Sequence, residues 1–148
     1  MKLSMIKTLS FAVLAALSSA AAQAAGLDPA VVEKIGPPAE GKAQVVFFRP
    51  AKFTGAAMGY IVREGTTELG KLRNGKYFVA SVEPGAHTYT VHSEAKDNLN
   101  LEVEAGETYF VTSSVSMGLM VGHPNLSPAT AEDFQKVMAK LEKAKPLE

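Results

Sequence analysis

The chain has 148 residues, with 15 Lys and Arg against 15 Asp and Glu, three His and no Cys. Zero net charge offers no field to gather nucleic acid or an anionic membrane surface, and the lack of Cys excludes disulfides, thiol nucleophiles and thiolate metal sites. A hydrophobic fraction of 47% with 20% charged residues is that of a folded chain, and the length suits one domain.

Residues 1–24 read as a secretory signal peptide. Lys2 and Lys7 form a short cationic start, and an uncharged stretch follows from Thr8, with Leu9, Phe11, Val13, Leu14 and Leu17 as its apolar heart. Ala22-Gln23-Ala24 then supplies small residues at the positions a signal peptidase reads, which places cleavage after Ala24. The apolar stretch thins into Ser18 and Ser19 before reaching the roughly 20 residues a spanning helix needs. No Cys follows it, so no lipid anchor is expected, and the expected destination is the periplasm or the medium. Residues 25–42, with Pro37-Pro38, are read as a short helical turn and linker preceding a single β-rich domain over 43–148.

From there turn residues recur about every ten positions: Gly65, Asn74-Gly75, Pro84-Gly85, Lys96-Asp97-Asn98 and Gly106. Asn74-Gly75 is the strongest hairpin signal, because a type I′ turn needs positive φ at both central residues. The runs between are predicted strands. Ala43–Arg49 is apolar on both faces and belongs in the centre of the core. Gly59–Arg63 and Glu68–Leu72 flank a hairpin, and Tyr77–Val82 is buried on both sides. His87–His92 and Leu99–Val103 alternate, with Asn100 and Glu102 facing water, and Thr108–Ser116 is the seventh. Together they predict a mainly β chain: a small antiparallel β-sandwich or open barrel of about seven strands.

The tail changes period. Phe134, Val137, Met138 and Leu141 fall on one helical face, which predicts an amphipathic helix over about 128–145 that packs on a sheet or covers an edge strand. Ser127-Pro128 offers one start, and Thr130 with Asp133 offers a second, capping-box-like one. Glu132 and Lys136 are placed as an i,i+4 pair.

Chemistry is harder to find. His87 and His92 sit five apart on one strand and point to opposite faces, so they cannot chelate one ion together. There is no HExxH pattern, no G-x-S-x-G elbow and no glycine-rich phosphate loop. Glu102 and Glu104 lack the apolar surroundings that would raise a carboxyl pKa for acid catalysis. No catalytic residue, metal ligand or cofactor is therefore expected. Two small-and-apolar loops stand out instead: 50–59, carrying Phe53 and Met58, and 117–124, carrying Met117, Met120 and His123. Glycine-interrupted, Met-rich segments of this kind adapt to an apolar partner; the plainer reading of the second is an eighth strand whose side chains fill the core. Arg49 ends an apolar strand and needs a carboxylate or carbonyl partner. These six residues are the candidate ligand or partner surface.

The order of Phe47-Phe48-Arg49-Pro50, Leu69-Gly70-Lys71-Leu72-Arg73-Asn74-Gly75-Lys76-Tyr77-Phe78, Pro84-Gly85-Ala86-His87 and Glu104-Ala105-Gly106-Glu107-Thr108-Tyr109-Phe110 resembles a bacterial envelope family, domain of unknown function 2846, over about residues 41–115. The resemblance implies a β-rich envelope domain and no particular activity. Many members look like lipoproteins, and this chain departs from them in lacking the lipid-bearing Cys. The expected function is that of an exported, non-catalytic envelope module binding a protein, glycan or small apolar ligand, or serving structurally. The alternative is a small metal-dependent or hydrolytic periplasmic enzyme using His87 and His123.

Overall fold

A computed structural model describes residues 26–92, 96–117 and 122–148. In chain order these form helix α1 (Pro29–Ile35) and strands β1 (Ala43–Arg49), β2 (Tyr60–Glu64), β3 (Thr67–Leu72), β4 (Lys76–Val82), β5 (Gly85–His92), β6 (Lys96–Val103), β7 (Thr108–Met117) and β8 (Gly122–Ala129). Helix α2 (Ala131–Val137), a 3-10 turn at Met138–Lys140 and the short strand β9 (Glu142–Lys143) complete it. The signal-peptide reading of residues 1–24 lies outside the described residues. Among those described, no helix is long and apolar enough to cross a membrane.

The strands make two open sheets, one ordered β8-β7-β1-β4-β9 and the other β3-β2-β5-β6. Strand β1 is buried at every residue because both faces of its sheet are covered. Val45 and Phe47 enter the core between the sheets, where Phe47 stacks on Phe78 at 5.0 Å and meets the edge of Tyr89 at 5.1 Å. Val46 and Phe48 point the other way, into a second core roofed by the helices. There Phe134 of α2 contacts the rings of Phe48, Tyr77 and Phe110 at 5.3, 5.9 and 5.4 Å, and Val31 of α1 is fully buried beside them. The stretch read as a linker thus contributes a capped helix, with Asp28 accepting from the Ala30 amide at 2.8 Å.

The mainly β expectation holds, with nine strands among the described residues where about seven were predicted. Two pairings are parallel, β1 with β7 and β4 with β9; the rest are antiparallel. The chain alternates between sheets, and Asn74-Gly75 is one of the crossings. It joins β3 to β4, which lie in different sheets, so it is a corner and not a hairpin. Only Gly75 has positive φ, which excludes a type I′ turn; the Lys76 amide closes it on the Arg73 carbonyl at 3.2 Å. Lys96, Asp97 and Asn98, read as a turn, extend β6 and pair with His92, Val91 and Thr90.

The tail differs in its bounds. Ser127 and Pro128 belong to β8, where the edge position tolerates proline's missing N–H. The second start is the one used: Thr130 and Asp133 form a reciprocal capping box. The helix ends at Val137, and Leu141 leaves it to stay buried. Its apolar face packs on the sheet as expected. Lys136 lies 3.9 Å from Asp133, one turn back, in place of the anticipated Glu132 pair.

Candidate functional site: an apolar end anchored by a buried arginine

Arg49 closes β1 immediately before Pro50 and is only 2% exposed. Its partners are carbonyls and not a carboxylate. The guanidinium donates to the oxygens of Gly55 (2.6 Å), Met58 (2.7 Å) and Leu72 (3.5 Å), and it sits 5.1 Å from the centre of the Tyr60 ring. Carbonyl dipoles and an aromatic face together compensate the buried charge. Below it, the Tyr60 hydroxyl bonds Ser113, which also donates to the Asn125 carbonyl at 2.9 Å. Burial pushes the Tyr60 pKa up, opposed by the Ser113 hydrogen bond and by the Arg49 charge.

This arrangement fixes the loop 50–59. Its turns close through Ala56 N–H to the Phe53 carbonyl and Met58 N–H to the Gly55 carbonyl, and the Asn74 side chain accepts from the Lys52 amide at 2.9 Å. The loop lies against the β7–β8 hairpin. A Cβ at Gly55 would stand 2.8 Å from Val115 Cγ1, and one at Gly122 would stand 2.6 Å from Met58 Sδ. The loop 50–59 therefore lies against the ends of β7 and β8 that flank the second apolar segment, whose described residues, Met117 and 122–124, are strand and not loop.

What faces outward there is Phe53, fully exposed, and Met117, 67% exposed. Met58 is half-buried between the loops. His123 is half-buried at the start of β8, with its Nδ1 buried and without a hydrogen-bond partner among the described residues. Met120 lies outside the described residues. Arg49, at the base, holds the surface without being part of it.

His87 forms a separate cluster. Its Nδ1 is 2.5 Å from a Glu64 oxygen and its Nε2 is 2.6 Å from the Glu83 carbonyl, while its ring stacks on Tyr89 at 5.8 Å. Burial works against the charged ring, but the Glu83 and Glu64 oxygens outweigh it and the pKa is raised. The pairing with Glu64 was not legible in sequence, since it depends on β2 lying beside β5. Among the described residues no three His, Asp or Glu side chains converge to hold a metal ion.

An uncharacterized protein of Haemophilus influenzae is 26% identical over 108 residues, covering 72% of this chain and 64% of that relative's length. Residues 39–124, more than half of the chain, match a family model. The chain belongs to the family described as Protein of unknown function (DUF2846).

Proposed function

We propose that the protein is a non-catalytic binding module of the bacterial cell envelope, exported by its residues 1–24 and docking an apolar patch of a partner protein against Phe53 and Met117. The observation that carries this reading is a fully exposed phenylalanine on a loop immobilised from beneath by a buried arginine. An exposed aromatic on a pre-ordered loop loses little conformational entropy on docking, which is how interface anchors gain their affinity. The shape favours a macromolecule over a small apolar ligand. Small ligands are held in concave sites, whereas Phe53 projects into solvent.

The enzyme alternative has less support. Both ring nitrogens of His87 are taken by Glu64 and Glu83, which gives that side chain a structural task and leaves His123 alone of the proposed pair.

Affinity capture from envelope extracts tests the proposal, comparing the wild type with Phe53→Ser and Met117→Ser. The expected result is at least one partner that the wild type retains and both variants lose. Capture of the same proteins by all three, or of none by any, overturns it.

A further inference from the structure

A groove of about 730 Å³ runs along the edge of β3 and the chain that follows β9, and Phe53, Met58 and Met117 are not among the residues that line it. It lies within the size range of small-molecule sites. Its charges are unevenly matched. Glu68 is paired with Arg63 at 2.6 Å, and Glu142 is paired with Lys76. Lys71, Arg73, Lys143 and Lys145 also line it, with no ion pair among the described residues, and Glu148 is the one acidic lining residue left to oppose them.

The cations form two rows. Lys71 and Arg73 flank the buried Leu72, so the strand's period of two sends them to the same face. Their side chains run side by side over Gly59, where a Cβ would meet Arg73 Cγ and Lys71 Cε at 3.2 Å each. Lys143 and Lys145 repeat the spacing in the chain from β9 onward, and Ile61, which pairs with Lys71 across β2 and β3, and Leu147 add apolar surface to the lining.

We propose that this groove binds a soluble, phosphate-bearing small molecule, its phosphates held by the two cationic rows and its apolar part resting on Ile61 and Leu147. Phosphate suits the set because a guanidinium forks onto two of its oxygens while neighbouring ammonium groups neutralise the remainder. A wall of like charges in a groove also concentrates anions before contact. The proposal is independent of the apolar end, and either can fail alone.

Isothermal titration of the full chain with sodium tripolyphosphate tests it, alongside Lys71→Gln/Arg73→Gln, Lys143→Gln/Lys145→Gln and, as a control outside the groove, Lys52→Gln. All four cations lie at the surface or partly so, and thermal melts confirm that each variant is folded. The expected result is saturable binding that weakens by about tenfold or more in each double variant and falls between about 50 and 300 mM NaCl, while Lys52→Gln behaves as wild type. Absence of saturable binding, equal affinity in the double variants, or equal loss in Lys52→Gln overturns the proposal. So does binding to phosphatidic acid vesicles in the absence of any binding to tripolyphosphate.

Discussion

The Arg49 guanidinium reaches forward along its own chain to the Gly55 carbonyl, 2.6 Å away, and makes the buried end of β1 the anchor of the loop that carries Phe53. Replacing Arg49 with Met keeps the apolar stem and removes the donors. The carbonyls of Gly55 and Met58 then lose charged partners, at a cost of about 2–4 kcal/mol. Urea unfolding should show that loss, and limited proteolysis should cut within 50–59 first. A midpoint equal to wild type would mean that the loop holds its shape unaided.

Phe53→Ser tests the opposite property. A side chain fully exposed contributes little to folding, so stability should stay within about 0.5 kcal/mol of wild type. A larger loss in urea unfolding would show that Phe53 packs on the fold in solution and is not available to a partner.

His87 should make stability depend on pH. Its folded pKa is raised by the Glu83 carbonyl and the Glu64 carboxylate against the opposing effect of burial. The folded state therefore binds this proton more tightly than the unfolded chain. That contribution is complete below the unfolded value of about 6.5 and is lost as pH rises through the higher folded value. Urea midpoints measured from pH 5.5 to 8.5 should decline across this window in the wild type and decline less in His87→Gln. Equal slopes would assign the dependence to other groups.

Gly70 has no room for a side chain. A Cβ there would lie 2.7 Å from two atoms of the Phe78 ring, which stacks on Phe47 in the core between the sheets. Gly70→Ala should cost about 1–3 kcal/mol through overpacking. Adding Phe78→Leu should cost less in that background than it does alone, because the smaller side chain relieves the clash. Simple additivity in a double-mutant cycle would refute the contact.

The helix start gives a paired test. Thr130 accepts from the Asp133 amide at 3.1 Å and Asp133 accepts from the Thr130 amide at 3.0 Å, whereas Ser127 lies exposed in β8. Thr130→Ala should therefore cost about 1 kcal/mol, and Ser127→Ala should cost close to nothing. The reverse order in thermal melts would restore the earlier helix start.

The strands were legible because their patterns are local. The alternation of His87–His92 put Tyr89 and Val91 on one face and Thr88 and Thr90 on the other, and β5 buries the first pair. The doubly apolar run at Val45–Phe48 identified a strand covered on both faces. Sheet membership was not local. Asn74-Gly75 reads as a hairpin in isolation, but nothing within ten residues of it says that β4 will pair with β1 and not with β3. Strand β8 was legible only where it overlaps the eighth strand offered for 117–124; its continuation was hidden by Pro124 and Pro128, which argue against a central strand and are harmless at an edge. Of the surface at the apolar end, the sequence named the two loops; their contact through Gly55, Val115, Met58 and Gly122 required the tertiary fold. Arg49 was recognisable as a residue in need of carbonyl or carboxylate partners, and its carbonyls lie six to 23 positions downstream.

The parallel pairing of β1 with β7 bears on the order in which the chain assembles. Phe47 at the middle of β1 lies opposite Val111, so one side of that strand has no neighbour until the last third of the polypeptide exists. The folding chain can bring β1 against β4 early, but Val45 and Phe48 must wait with an open row of backbone groups for residues 108–117. Pairings separated so widely close slowly. Until residues 108–117 pair with it, that side of β1 is the part of the fold most open to mispairing.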